Sequence, residues 1–369
     1  MSELFERLLA LLEAGEKVSL TTVISRTGSV PCPAGSRLLV PEDGSSLGTV
    51  GGGILEAEAL RAARKALQEE QPAITDLEFE AAEAAREGML CGGRVGLYTE
   101  VVFPTGSELE NFRAVVGELG ASRPVAMATA VVTAYPGKAP GTTRVIFRGD
   151  KILAGSLADP QWNGKIISAA AGLLDREDSL YLELESRPGD MPGLQGFLVD
   201  PLHPDPTLVI FGAGHVAQPL CRMASLAGFR VVVVDDRGEF ASRDRFPESS
   251  EILVCGPAEA FGRIDPGPGW YLVSVTRGHL QDREVVERAL EFPVSYLGMI
   301  GSRRKVKLLW EDLRSRGVLQ QELERVHAPV GLEIGAETPA EIAVSILAQM
   351  IATRRAAGRP VIRRGTVEL

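Results

Sequence analysis

The 369-residue sequence has no apolar run approaching the ~20 residues that a membrane-crossing helix needs, so no membrane span is expected. It also has no excess of basic charge. Lys and Arg number 39 against 49 Asp and Glu, a formal net charge of −10, which argues against a phosphate-backbone footprint and against nucleic acid as a partner. Its four cysteines (Cys32, Cys91, Cys221, Cys255) form no C-x-x-C pair, and no histidine cluster accompanies them. A disulfide framework and a structural zinc site are therefore not expected. The stretch Met1-Ser2-Glu3-Leu4-Phe5-Glu6-Arg7 lacks the basic start and apolar core of a signal peptide, so a cytoplasmic location is expected. There is no internal repeat and no low-complexity tract. What remains is an ordinary globular composition, 45% hydrophobic and 24% charged, long enough for two domains or three small ones.

The strongest local pattern is Leu208-Val209-Ile210-Phe211-Gly212-Ala213-Gly214-His215-Val216-Ala217. Four apolar residues in a row predict a strand buried on both faces, as in parallel sheets. Gly212 and Gly214 permit a tight turn with close backbone approach, and a helix rich in Ala, Leu and Met follows. This is the G-x-G-x-x-A form of the first dinucleotide-binding unit. Val231 to Val234 reads as a second strand. It ends in Asp235, about 20 residues past the turn, where a ribose-binding acid belongs; the alternative is a solvated turn residue. Further strands are expected at 251–255, 271–275 and 294–299, with helices at 214–228, 282–291 and 303–316. The carboxyl ends of these strands carry Gly212, Gly214, His215, Asp235, Cys255, Thr276, His279, Asp282, Gly298, Gly301, Ser302 and Arg303. The last helix opens on Thr338-Pro339-Ala340-Glu341, a capping box with proline at its first position. Arg354, Arg355, Arg359, Arg363 and Arg364 then read as a solvated basic tail.

The first half carries three glycine-bearing segments. Arg26 to Arg37 includes Gly28, Ser29, Pro31, Cys32, Gly35 and Arg37. Gly48 to Glu56 holds Gly51, Gly52 and Gly53 just before a helix expected over 57–70. Consecutive glycines at a helix start expose backbone N–H groups to an anion, although glycines also serve tight turns alone. The third segment runs from Gly88 to Arg94, with Gly88 before Cys91 and Gly92 and Gly93 after it, where a strand begins. That thiol reads as reachable, against the alternative of a small buried hydrophobe. Arg86 and Arg94 nearby favour its thiolate. Helices are expected at 3–14, 108–119 and 161–175, and strands at 18–25, 38–40, 95–103, 125–134, 143–148 and 181–184. Proline-bearing Asp200 to Pro206 reads as the linker, giving domains 1–200 and 201–369. The fold class is α/β, with a Rossmann-like doubly wound sheet behind an α+β N-terminal module.

Taken together these motifs resemble the xanthine dehydrogenase accessory family of the XdhC/CoxI type. The carriers are Gly28-Ser29-Val30-Pro31 through Gly35, Gly48 through Glu56, Cys91-Gly92-Gly93, Gly212 through Ala217, Asp235-Asp236-Arg237, Gly298 through Arg304, and Thr338 through Ile346. They span most of the chain in the family's order. The resemblance implies a maturation factor rather than a metabolic enzyme. Such a factor binds the molybdenum–pterin cofactor, with or without its nucleotide, supports its sulfuration and inserts it into a molybdenum hydroxylase. The implied partners are an apo hydroxylase of the xanthine dehydrogenase kind, a cysteine desulfurase, and a second copy of the chain in a homo-oligomer. Cys91 is then the molybdenum contact or sulfur relay, and Glu56 is the other catalytic candidate. Cofactor binding falls to Gly28, Ser29, Arg37, Gly51, Gly52, Gly53, Gly92 and Gly93 in the first half. In the second it falls to Gly212, Gly214, His215, Asp235, Arg237, Thr276, His279, Gly301, Ser302 and Arg303. Two positions depart from the family pattern: Cys32 replaces an arginine, and Thr276-Arg277-Gly278-His279 replaces T-H-D. An NAD(P)-dependent oxidoreductase, with NAD(P) or another nucleotide in the crevice and His279 as acid/base, is the first alternative. A nucleotide-sensing module is the second.

Overall fold

The structure, a computed structural model, describes residues 2–28, 30, 35–79, 93–135, 143–157, 160–175, 178–184, 193–356 and 362–367. Contacts divide the chain into two units, Met1–Pro204 with Arg359–Leu369, and Asp205–Gly358.

The first unit opens with α1 (Ser2–Glu13), which buries Leu4, Phe5, Leu8, Leu11 and Leu12. Their i, i+3, i+4 spacing makes a single apolar face, and Gly15 ends the helix at φ 83°. β1 (Val18–Gly28), β2 (Arg37–Pro41), β3 (Leu47–Gly48), α2 (Gly53–Glu69), β4 (Ala73–Phe79) and β5 (Gly93–Val102) follow. They build an antiparallel sheet of order β3-β2-β1-β5-β4. Next come α3 (Gly106–Gly120), β6 (Val125–Val132), β7 (Thr143–Arg148), β8 (Lys151–Leu157), α4 (Pro160–Ala169), β9 (Ser179–Leu184) and β10 (Leu194–Leu202). One core unites Val23, Leu38 and Leu97 of the first sheet with Ala128, Val145 and Val199 of the second, under Leu55, Ala59 and Ala63 of α2. A second core joins α1 and α3, where the rings of Phe5 and Phe112 stack at 6.1 Å. Truncating Phe5 to Ala would cost about 3–5 kcal/mol.

The second unit alternates strand and helix. It runs β11 (Thr207–Phe211), α5 (Ala217–Leu226), β12 (Arg230–Asp235), β13 (Glu251–Val254), α6 (Pro257–Phe261), β14 (Trp270–Ser274), α7 (His279–Ala289), β15 (Tyr296–Met299), α8 (Arg303–Ser315), α9 (Gln320–Leu323), β16 (Val326–His327) and α10 (Pro339–Arg354). All six strands are parallel, in the order β13-β12-β11-β14-β15-β16. This is the dinucleotide-binding order, with the strand order reversing between β11 and β14. Successive residues face opposite cores. Val209 and Phe211 meet α7 and α8, while Leu208 and Ile210 meet α5 and α10. Burial on both faces explains why these strands read as unbroken apolar runs. Cys221, on the inner face of α5, is fully buried. Pro219 is the third residue of that helix, where its missing N–H has no intrahelical partner to lose.

Three expectations from sequence are corrected. The arginine-bearing end is not a solvated tail. Residues Ile362–Val367 form β17, parallel to β9 and at the edge of the second sheet of the first unit, which has the order β17-β9-β10-β6-β7-β8. Arg363 pairs with Asp178 at 2.6 Å and Arg364 with Glu183 at 2.9 Å, so acids on or beside β9 offset the basic charge. Arg354 ends α10 with its guanidinium 5.0 Å from the Phe229 ring centre; Arg359 lies outside the described residues. Secondly, the linker is shorter than 200–206, because Asp200, Pro201 and Leu202 belong to β10. Pro201 is tolerated because the register with β9 already ends at Val199, leaving that side of the ladder unpaired. Thirdly, the helix expected over 161–175 stops at Ala169. Gly172 at φ 74° breaks it, and a 3₁₀ turn follows at Leu173–Asp175.

Candidate functional site

In a parallel sheet every strand delivers its carboxyl end to the same edge. The loops after β11, β12, β14 and β15 therefore carry Gly212–His215, Asp235–Arg237, Thr276–His279 and Gly301–Arg303 to one rim. Gly212 sits at φ 103°, and a Cβ there would stand 2.7 Å from the Val275 carbonyl oxygen, so only glycine lets the first turn pass the end of β14. At Gly214 a Cβ would meet nothing within 4 Å, so the space beside the second glycine is open.

Asp235 is 7% exposed and is held on three sides. Its carboxylate accepts the Ala213 amide at 2.8 Å and the Arg237 amide at 3.0 Å. It also takes both guanidinium donors of Arg237, Nε at 2.8 Å and Nη2 at 2.9 Å. Burial alone would raise its pKa, but the bonds from Arg237 and the two amides outweigh it and hold the pKa at about 2. Arg237 in turn lies 3.8 Å from the Phe240 ring centre. Asp236 meets Arg277 and Gln281, each at 3.4 Å, so side chains after β12 reach those after β14 across the end of β11. The cleft between Gly212, Asp235, Cys255 and Thr276 has a volume of about 10 Å³. That is room for one water, against several hundred Å³ for a nucleotide. The cleft is lined by the first glycine turn, the Asp235 carboxylate and Thr276, and that carboxylate is committed to Arg237.

Behind the rim lies a polar cluster that the sequence disclosed only in part. Asp282, fully buried in the first turn of α7, accepts from Ser274 at 2.6 Å and Thr276 at 2.8 Å, and pairs with Lys305 of α8. Thr276 and Asp282 stand out as strand-end residues, but nothing in the sequence links Asp282 to Lys305, 23 residues away. His215 and His279 are exposed. Ser302 caps α8 by accepting the Lys305 amide at 3.3 Å, and Arg303 forms an exposed pair with Glu333.

In the first unit the glycine loop before α2 supplies its donors to one oxygen. Glu56 Oε2 accepts from the Thr49 hydroxyl at 2.9 Å, the Val50 amide at 3.0 Å and the Gly52 amide at 3.4 Å. Gly51, Gly52 and Gly53 all have positive φ, which aims these amides inward. The loop thus holds an oxyanion, and that oxyanion is the carboxylate of its own helix. Gly28 faces Gly93 across β1 and β5; a Cβ on Gly93 would stand 2.3 Å from the Thr27 carbonyl oxygen. Arg37, expected to bind an anion, is 6% exposed, pairs with buried Asp200, and donates to the Gly35 carbonyl at 3.1 Å. Its charge is committed within the fold. A second buried set, Arg144 with Glu100 and Glu108, carries no motif that sequence reading could detect. Ser29, Cys32, Glu83, Arg86, Cys91 and Gly92 lie outside the described residues. Among the described residues no group of three or more His, Cys, Asp or Glu side chains is placed to hold a metal ion, and no helix is long and apolar enough to cross a membrane.

Residues 208–350 match the model of the XdhC Rossmann domain, and residues 11–79 match that of the XdhC and CoxI family. The chain is similar to the uncharacterized protein YqeB of Escherichia coli, 34% identical over 57% of this chain and 40% of that one. It is also similar to a protein of Bacillus subtilis named as a probable xanthine dehydrogenase component, 30% identical over 42% of this chain and 44% of that one. Both matches thus span less than half of the relative's length. The molybdenum cofactor insertion chaperone PaoD of Escherichia coli is 24% identical, over 93% of this chain and 85% of its own. A solved structure described as a xanthine dehydrogenase from Bacillus halodurans shares the fold, with a TM-score of 0.74 and 24% identity over 95% of this chain and 96% of that one. Two matched modules, in the order and with the sheet topology described, establish that the chain belongs to the XdhC and CoxI family.

Proposed function

We propose that this chain is an accessory protein that holds the molybdenum–pterin cofactor and inserts it into an apo molybdenum hydroxylase of the xanthine dehydrogenase type. The observation that carries the reading is the similarity over 93% of the chain to a molybdenum cofactor insertion chaperone. The donor set supports it. The cofactor is an anion bearing phosphate, and the loop at Thr49–Gly53 already directs two amides and a hydroxyl at one anionic oxygen. In this reading a phosphate oxygen replaces the Glu56 carboxylate, and Glu56 swings out as the loop loads. The bound group would supply the metal centre. Cys91 would provide a thiolate for metal contact or for relay of sulfur from a cysteine desulfurase. The Rossmann crevice would take a nucleotide portion once Arg237 releases Asp235. The chain is read as a homo-oligomer.

The test is mass spectrometry of small molecules released from the full chain purified under anaerobic conditions, with pterin fluorescence after oxidation as a second readout. A pterin species in the parent, diminished in Gly52→Val, supports the proposal. Preparations free of pterin that also fail to take it up when it is offered contradict it. Nicotinamide turnover without pterin would favour the oxidoreductase instead.

A further inference from the structure

The helix α8 presents an unusual face. A groove of about 390 Å³ runs along it, lined by Arg303, Lys307, Trp310 and Arg314 on the helix and by Ala328 and Pro329 beyond β16. No carboxylate lines it. In a chain with ten more acids than bases, most arginines of the structure have an acidic neighbour, yet neither Lys307 nor Arg314 has a carboxylate within ion-pair distance among the described residues. Among the described residues Arg314 donates only to the Trp310 carbonyl, at 3.2 Å. Arg303 does have a partner, Glu333, but both side chains are more than four-fifths exposed, and such a pair adds little and exchanges readily. The first turn of α8 carries Arg303, Arg304 and Lys305 and no acid, the charge sign that a helix N-terminus disfavours. Of these three, Lys305 is neutralised by a buried partner, Asp282.

The spacing identifies the class of ligand. Arg303 and Arg314 are separated by about 16 Å of helical rise. A single phosphate or pyrophosphate engages one end of such a row and leaves the other cations unmatched. An extended acidic peptide, advancing about 3.3 Å per residue, spans the row with about five residues. Trp310, half-buried in the middle and flanked by Pro329, offers an apolar face for a side chain between the acids. We infer that this groove is the docking face for an acidic segment of a partner polypeptide. Its carboxylates pair with Arg303, Lys307 and Arg314, and one apolar side chain rests on Trp310. This inference is independent of which cofactor the protein carries.

The experiment uses the full chain and a fluorescein-labelled decapeptide of alternating Glu and Gly with one central Leu, read by anisotropy. A Gln-for-Glu peptide is the neutral control. The acidic peptide binds, the neutral one does not, and added salt weakens binding. Lys307→Glu with Arg314→Glu weakens it about tenfold or more, Lys307→Gln produces a smaller loss, and Arg61→Glu on α2 stays within about twofold of the parent. Peptide also shifts the tryptophan emission, and Trp310→Phe abolishes that shift while buried Trp162 and Trp270 remain. All substituted side chains are exposed or half-buried, so thermal midpoints of the variants stay near the parent's. Equal binding of both peptides, or binding unchanged by the double charge reversal, overturns the inference. So does displacement of the peptide by pyrophosphate that itself binds more tightly, which would make the groove a small-anion site.

Discussion

Asp235 binds Arg237 through two parallel N–H···O bonds while accepting the amide of Ala213 from the first glycine turn. The residue expected to hold a ribose is thus occupied by its own neighbour two positions on. In the proposed reading, nucleotide entry opens that pair. Arg237→Ala should free the carboxylate and tighten adenine- or cytidine-nucleotide binding about fivefold or more, measured by calorimetry, whereas Asp235→Asn should weaken it. Equal affinity in parent and Arg237→Ala would show that the pair does not guard the crevice.

The same pair has a pH signature. Asp235 has a folded pKa of about 2, below its unfolded value near 3.9, so its contribution is present above the unfolded value and is lost as pH falls through the folded one. That contribution is about 2 kcal/mol. Urea midpoints of the parent should therefore drop between about pH 4 and pH 2 more steeply than those of Asp235→Asn. Parallel curves would contradict the assignment.

The two glycines of the turn should respond differently. Gly212→Ala places a Cβ against the Val275 carbonyl in a positive-φ position and should cost about 2–4 kcal/mol. Gly214→Ala enters open space and should stay within about 1 kcal/mol. Thermal unfolding of the two variants side by side reads the difference.

Arg144, 1% exposed, pairs with both Glu100 and Glu108. Burial raises the Glu108 pKa, and Arg144 opposes that rise. Arg144→Met should destabilise by about 3–5 kcal/mol by stranding two buried carboxylates. With the cation gone, burial acts unopposed by Arg144 on the Glu108 carboxyl and raises its pKa further, so the variant should become more stable as pH falls from neutral toward mildly acidic. Glu108→Gln should cost much less. Denaturant midpoints across that pH range check both.

How much of this was legible in the sequence depended on the range of the interaction. The strands of the Rossmann unit were readable because burial on both faces writes them as continuous apolar runs, Leu208–Phe211 and Val231–Val234 above all. The strands β10 and β17 were not. Pro201 and the row of arginines at 363–364 carry local signals for linker and tail, and only pairing with β6 and β9 overrides them. In the candidate site, glycines were found by their spacing, but the partners of the charged residues were not. Arg37 meets Asp200 across 163 residues, and Glu56 looked like a reactive carboxylate until its three bonds to the loop behind it were in view.

The most direct test of an accessory role is transfer. The full chain, loaded anaerobically with the molybdenum–pterin cofactor, is mixed with an apo hydroxylase of the xanthine dehydrogenase type, and hydroxylase activity is followed against free cofactor at the same concentration. Faster and more complete activation by the loaded chain is expected, reduced by Gly52→Val and by Cys91→Ala. Activation no better than with free cofactor, or undiminished in both variants, would contradict the accessory role.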